Sequence, residues 1–255
     1  MAAEAVRLEG AWTVEHRVND LGQPVGLPCP GWQAPPVPPR RPLRGRFCVV
    51  EPLDVDRHGA DLYEAISEDV LGATWTYMFY GPFQSREEYF SWVRDRAESR
   101  DPMFFAIVDR VRGRALGVAS YLRIHPEAGS IEVGHIHYSP ALQGTPAATE
   151  AMYLMMKQAF ELGYRRYEWK CDALNGKSRA AAERLGFTFE GVHRQALVYK
   201  GRNRDTAWYS VIDSEWPRLE RAFAEWLDPS NFDEEGQQRR RLADIRAAAA
   251  VEQGP

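Results

Sequence analysis

The stretch 131–163 limits what this chain can fold into more than any other part of it. Ile131, Val133, His135 and His137 alternate with Glu132, Gly134, Ile136 and Tyr138, the period of two that a strand requires, and Ser139-Pro140 ends the run. Past the turn, Thr145 is placed to cap a helix, and Pro146 suits its first position, where a missing N–H costs nothing. Ala148, Ala151, Met152, Met155, Met156, Ala159 and Phe160 then recur mostly at three- and four-residue spacing toward Gly163, so one helix face is buried. A strand turning straight into a helix aims unpaired N–H groups and the positive end of a dipole at one point, an anion site suited to a pyrophosphate.

The neighbouring pattern extends this unit in both directions. RFCVVEPL at 46–53 reads as a strand, 54–69 as a helix, and SREEYFSWVRDRAES at 85–99 as a second helix with Ser85 as its cap. MFFAIVD at 103–109 and ALGVASYLRI at 115–124 form a strand meander that feeds 131–138, and YEWKCD at 167–172 is the next strand. NGKSRAAAERL at 175–185 is a short helix with an Asn start, and 187–201 and 205–213 form a closing hairpin around GRNR. Before all this, the proline-dense stretch 20–45, with PPVPPRRP at 35–42, excludes a helix or a central strand; it reads as an extended surface arm with Trp32 as its anchor, in preference to a docking peptide for another protein. The tail from Asp228 is polar up to LADIRAAAAVEQ, which suits a short helix against the body or a partner.

With 255 residues, 44% hydrophobic and 27% charged, the chain can build one core with extensions. A net charge of −4 argues against nucleic acid or a membrane surface as a general partner. Cys29, Cys48 and Cys171 lie far apart with no C-x-x-C pair, so a disulfide framework and a zinc module are not indicated, and a reducing cytoplasm is expected. Neither a signal-peptide core nor a long apolar span is present.

Several short motifs, in order, resemble the GNAT N-acetyltransferases. Residues 143–148, Gln-Gly-Thr-Pro-Ala-Ala, are similar to that family's Q/R-x-x-G-x-G/A pyrophosphate loop, and GTPAATEA at 144–151 is similar to the form found in the Rim-type branch, which acetylates protein N-termini. Asn175-x-x-Ser178 and the LGF at 185–187 resemble that branch's next motif; WTYMFYGPF at 75–83, FEG at 189–191 and TAWYSVI at 206–212 agree with it. The resemblance implies an α/β acyl-CoA N-acyltransferase fold, with a mixed, mostly antiparallel central sheet flanked by helices. It divides the chain into a Pro-rich N-terminal extension 1–44, a catalytic domain 45–217 and a helical or flexible tail 218–255. Two departures stand out. Pro146 replaces a usual glycine and removes one donor, leaving the N–H groups of Gly144, Thr145, Ala147, Ala148 and Thr149. In some Rim-type members a glutamate base follows K/R-Q-A; here Leu197 follows Arg194-Gln195-Ala196.

The implied reaction is attack of a neutral amine on acetyl-CoA, a co-substrate, with no metal. Ile136, His137 and Tyr138 on the strand and 143–149 in the loop would hold the cofactor, and a strand N–H near Ile136 or His137 would meet the oxyanion. The resemblance carries thiolate protonation onto Ser178, with Asn175 beside the pantetheine; the same residues also read as a helix cap, and the two readings are compatible. Glu132 and His137 are the first candidates for the base, with Glu168 and Asp172 behind them, and a water-relayed base or none stays open. His135 and His137 would share a strand face, but no further ligand stands at metal spacing. Trp75, Tyr77, Met78, Phe79 and Tyr80 fall where the branch covers its acceptor, with Asp172 opposite, although core packing is the alternative for about half of these aromatics. Lys200, Arg202 and Arg204 at the hairpin tip either attract an acidic acceptor or are solvated, and the run 239–241 is read as solvated. The acceptor is a small-molecule or peptide amine, and a homodimer is open. Two competing readings are a CoA-binding sensor or assembly protein without turnover, and transfer to an aminoacyl group on RNA, which the net charge disfavours.

Overall fold

The computed structural model describes residues 4–7 and 13–251. Backbone contacts divide the chain into two units, Met1–Gln33 and Ala34–Pro255. The first carries a small antiparallel sheet of β1 (Glu4–Arg7), β2 (Thr13–Val18) and β3 (Pro24–Gly26). These strands are absent from the sequence-based expectation, because TVEHRV alternates polar with apolar residues only in part and its tight turn contains no Asn-Gly or Asp-Gly pair. An Asx turn does the work instead: Asn19 Oδ1 accepts from the N–H groups of Leu21 and Gln23. Trp32 is partly exposed.

The second unit is built on eight strands. They are β4 (Leu43–Arg44), β5 (Cys48–Pro52), β6 (Met103–Asp109), β7 (Arg114–His125), β8 (Ser130–Tyr138), β9 (Arg166–Asp172), β10 (Thr188–Tyr199) and β11 (Arg202–Ile212). Their order across the sheet is β10-β11-β9-β8-β7-β6-β5-β4, antiparallel throughout except for β8 beside β9. That one parallel pair needs a crossover, and α3 (Pro146–Glu161) supplies it. The sheet is therefore mixed and mostly antiparallel, as the motif series implies.

Both faces are covered, which explains why β6 is a continuous apolar run. Phe104 and Ala106 face a cluster with Leu62, Trp92 and Val93 from α1 (Val55–Ser67) and α2 (Arg86–Glu98), while Met103, Phe105 and Ile107 join the larger core on the other side. That larger core includes Ala182 and Leu185 of α4 (Gly176–Leu185), and two C-terminal helices complete it. On α5 (Trp216–Leu227), Trp216, Leu219, Ala222, Phe223 and Trp226 are buried, and Phe223 packs at 5.1 Å between ring centroids from Tyr153 of α3. Leu242 and Ile245 of α6 (Leu242–Val251) add to the same core. Residues beyond 217 thus form part of the folded body. The expected boundaries at 44 and 217 do not coincide with the compact unit, which begins at Ala34.

One irregularity positions the site. Between Gly134 and His137 the register against β7 shifts, so His135 and Ile136 together face only Ala119, and His135 adopts a left-handed φ of 50°. On its other edge β8 pairs with β9 only from Ser130↔Arg166 to Val133↔Trp169, although both strands run on to Tyr138 and Asp172. Beyond that point the two strands part, and their facing backbone edges border a cleft.

Candidate active site

Two cavities meet in this cleft. One, of about 780 Å3, is lined by Ile136, His137 and Tyr138, by Gln143, Gly144 and Ala148 of the turn, and by the first turn of α4. The other, of about 380 Å3, opens on the opposite side between Glu132, Gly134, His135, Lys170, Asp172, Arg204 and Trp208. Thr74, Tyr77, Ile136, Trp169, Asn175 and Ser178 line both, so they mark the junction. The splayed strands bring a cavity at the N-terminus of α3 and a polar pocket to a single point.

The anion loop forms as the sequence implies. Gly144 takes a φ of 74°, which suits glycine, and Thr145 caps α3 by accepting from Ala148 N–H at 3.2 Å. Thr145 N–H is given to Leu142 O, Pro146 has none, and Thr149 N–H is spent on the helix's first turn. Of the five expected donors, Gly144 and Ala147 are left to meet a ligand. Sequence reasoning missed what stands beside them: Arg184 lines the same cavity with Lys177 and donates to Thr149 Oγ1 at 3.1 Å. Arg184 lies in the ERLGF run, whose helical period hides which face it takes. Two backbone donors at a helix N-terminus with two cations suit a pyrophosphate.

Asn175 and Ser178 hold the junction. Asn175 Oδ1 caps α4 by accepting from Ser178 N–H at 3.1 Å, so the cap reading is correct. Ser178 Oγ in turn accepts from the Trp169 indole N–H at 3.0 Å, which leaves its own proton to be donated elsewhere.

The surroundings of His137 weigh against it as the base. It is buried and stacked on Trp75 with centroids 3.6 Å apart, and burial pushes its imidazole down to about 3. Thr74 gives its hydroxyl proton to Asp69 Oδ2 at 2.7 Å, so at 2.9 Å it receives the Nε2–H of a neutral His137. That nitrogen holds a proton already. His135 is no closer to a metal pair with it: His135 lines the smaller cavity and His137 the larger, and no group of three or more potential ligands exists among the described residues. Burial, with Arg96, Arg123 and Arg204 nearby, depresses His135 to about 4.

Glu132 fares differently. Arg123 and Lys170 both bond to one oxygen, Oε2, at 2.7 and 2.8 Å, and Lys170 also reaches Glu168 at 2.7 Å. Oε1 is left toward the smaller cavity that Glu132 lines. Burial pushes this carboxyl above the ordinary glutamate value, against the pull of Lys170 and Arg123. Glu168 is held below the ordinary value by Lys170 and Arg166 despite partial burial, and is taken up in their network. Asp172 lines the cavity, but Oδ1 already accepts from Leu174 N–H and Oδ2 from Tyr199 O–H, each at 2.8 Å.

Of the aromatic residues expected around an acceptor, Tyr77, Met78 and Phe79 line the smaller cavity. Trp75 and Tyr80 do not. Trp75 is buried among Tyr80, Phe83 and His137, and Tyr80 packs on Trp92 with its hydroxyl 3.1 Å from His135 Nδ1. The hairpin-tip charges are not simply solvated either. Lys200 Nζ donates to the carbonyls of Trp75, Tyr80 and Gly81, and Arg202 to that of Thr76, so β10 and β11 clamp the aromatic loop.

A family model of the acetyltransferase (GNAT) domain matches residues 51–188. The chain belongs to the GNAT acetyltransferase family. Among solved GNAT structures, a GCN5-related N-acetyltransferase from Brucella melitensis is 46% identical, covers 85% of this chain and 99% of its own, and superposes with a TM-score of 0.83. A GNAT-family protein from Chromobacterium violaceum is 40% identical over 76% of this chain and 98% of its own, with a TM-score of 0.71. The Bacillus subtilis protein provisionally named ribosomal N-acetyltransferase YdaF is 30% identical over 105 residues, 41% of this chain; the chain spans 57% of that relative. No helix among the described residues is long and apolar enough to cross a membrane.

Proposed function

We propose that the protein is an acetyl-CoA-dependent N-acetyltransferase that acts on a primary amine. The observation that carries this reading is the meeting of a pyrophosphate-type cavity and a carboxylate-bearing cavity at Ser178 and Ile136. Bound acetyl-CoA would supply an acetyl thioester and a thiol leaving group. Gly144, Ala147, Arg184 and Lys177 would hold its phosphates, and the free edge of β8 at Ile136 to Tyr138, with Asn175, would hold its arm. The N–H of Ile136 or His137 would meet the oxyanion. Glu132 Oε1 would take the proton from the incoming ammonium, and Ser178 Oγ would give one to the leaving sulfur. A cytoplasmic enzyme is consistent with three free cysteines, two of them buried.

Calorimetric titration with acetyl-CoA, followed by CoA-thiol release with a panel of amines, tests the reading. One-to-one binding with amine-dependent release is expected. Binding without release from any amine would favour the non-catalytic sensor, and no binding at millimolar cofactor would reject both.

Two substitutions divide the roles. Arg184→Ala is expected to weaken acetyl-CoA about tenfold and to flatten the salt dependence of its Kd, since one phosphate contact is lost; an unchanged Kd would exclude Arg184 from the cofactor site. Glu132→Gln bears on the base. A carboxylate base must be ionised, so kcat/KM of the native protein should rise with pH through the raised Glu132 value. Glu132→Gln should abolish that limb and lower kcat/KM by roughly 100-fold. If the limb persists in the variant, the proton goes elsewhere.

A further inference from the structure

The smaller cavity holds a cation that no carboxylate among the described residues pairs with. Three cationic side chains line it: Arg123, Lys170 and Arg204. Arg123 is paired with Glu132, and Lys170 with Glu132 and Glu168. Arg204 is only 7% exposed, yet among the described residues it has no carboxylate within 4.0 Å. Its Nε donates to Thr206 Oγ1 at 3.2 Å, while Phe79 lies 5.1 Å and Tyr199 5.7 Å from its guanidinium carbon. The rings hold the guanidinium through its π faces and Thr206 holds Nε, which leaves the outer edge with its paired N–H donors.

A buried cation without a counter-charge is costly, and folds rarely keep one without a partner. Asp172, the other anion lining the cavity, has both oxygens committed to Leu174 and Tyr199. We propose that Arg204 is the receptor for an oxyanion carried by the acceptor, so that the substrate is an amine bearing a carboxylate or phosphate. This deepens the acetyl-transfer reading and rests on it. Glu132 Oε1 would take the ammonium end and the outer edge of Arg204 the anionic end, a bidentate match for a planar carboxylate. Met78, Phe79, Leu122, Leu197 and Trp208 add apolar wall beside these polar groups, and about 380 Å3 is at the small end of ligand pockets. A compact molecule of amino-acid size fits such a pocket better than a long peptide. Leu197, which follows Arg194-Gln195-Ala196 where some Rim-type relatives carry a glutamate, adds no further carboxylate to the cavity.

The test compares matched amines. L-leucine, leucinamide and 3-methylbutylamine share a side chain and differ at the carboxylate; 2-aminoethyl phosphate and ethanolamine form the phosphate pair. Each is followed by CoA-thiol release with acetyl-CoA and, separately, by calorimetric binding to the CoA-loaded protein. The native protein is expected to prefer an anionic member over its neutral counterpart by at least 30-fold in kcat/KM or in Kd. In Arg204→Gln this preference should shrink to within about threefold, while Arg204→Lys keeps part of it and acetyl-CoA affinity stays unchanged. Preference within the leucine set identifies a carboxylate, and within the other pair a phosphate. Arg204-dependent binding without CoA release would keep the anion receptor and reject turnover. Equal use of charged and neutral amines by the native protein overturns the proposal whether or not the variants fold, and so does a preference that survives in Arg204→Gln.

Discussion

Replacing Glu150 by Ala is expected to unfold the catalytic body under mild denaturant. The carboxylate sits inside the molecule at 3% exposure and accepts from three successive backbone N–H groups, those of Arg46 at 2.7 Å, Phe47 at 2.6 Å and Cys48 at 2.9 Å. These donors belong to the turn between β4 and β5, so a single side chain of α3 ties that turn to the helix which carries the anion loop. Hydrogen bonds to a charged group contribute about 1.5–3 kcal/mol each, and a donor left buried without a partner costs a further ~1–3 kcal/mol. Even with these values discounted for non-additivity, a loss of about 4 kcal/mol or more is expected, from a total stability of roughly 5–15 kcal/mol. Glu150→Gln should cost less, because one oxygen remains, but its amide N–H would face donors. The approach is close enough that Gly45 cannot acquire a side chain: a Cβ there would lie 2.3 Å from the carboxylate carbon, so Gly45→Ala should be destabilising as well. Urea denaturation of the variants is the measurement. A midpoint shift worth less than about 1 kcal/mol for Glu150→Ala would mean that the turn is held by something else.

Glu150 also shows where sequence reading stops. It is the third residue of ATEA, and the motif places it in the helix beside the loop, yet nothing local indicates that its partners come from a turn about a hundred residues earlier. Strands β5 to β11, the two helices before the meander, the crossover and the α4 cap are legible, because each is written in local periodicity or capping residues, whereas β1 to β4 are not. The helix α5 carries an equally regular apolar stripe at Trp216, Leu219, Phe223 and Trp226, which an expected helical or flexible tail from 218 covers only in part; Pro217 in the first turn is permitted, not disruptive. Side-chain roles were harder to read. Period two put His135 and His137 on one face, and the bulge at Gly134–Ile136, which no residue pattern announces, assigned them to separate cavities. Trp75 and Tyr77 are indistinguishable by composition, but one is buried against His137 and the other lines the junction. The charges of Lys200, Arg202 and Arg204 likewise look alike in sequence; carbonyls of the aromatic loop take the first two, and only the third faces the cavity unpaired.

Ser178→Ala is expected to lower kcat by about 100-fold or more while leaving the Kd for acetyl-CoA within roughly threefold, the range of a lost general acid. The reasoning is local. Ser178 lines both cavities, its oxygen receives the Trp169 indole N–H at 3.0 Å, and that acceptance turns its own proton toward another partner. The Cys171 thiol is one such neighbour in the resting protein; a leaving sulfur at the junction would be another. A role limited to capping is separable from this, because the cap bond uses the Ser178 backbone N–H and the side chain of Asn175. Asn175→Ala should therefore cost about 1 kcal/mol of stability and keep the hydroxyl, whereas Ser178→Ala keeps the cap but leaves the Trp169 indole N–H without its acceptor, at a cost of about 1–3 kcal/mol. Trp169→Phe removes the indole donor but keeps the hydroxyl, and should cost less turnover than the serine change. Proton supply also predicts a pH signature. A thiolate needs a proton only below its own pKa, ordinarily about 8.5 for a thiol, so the defect of Ser178→Ala relative to the native protein should shrink as pH rises from 7 to above 9. A defect that is constant across that range would assign Ser178 to positioning, and unaltered kcat would remove it from the chemistry.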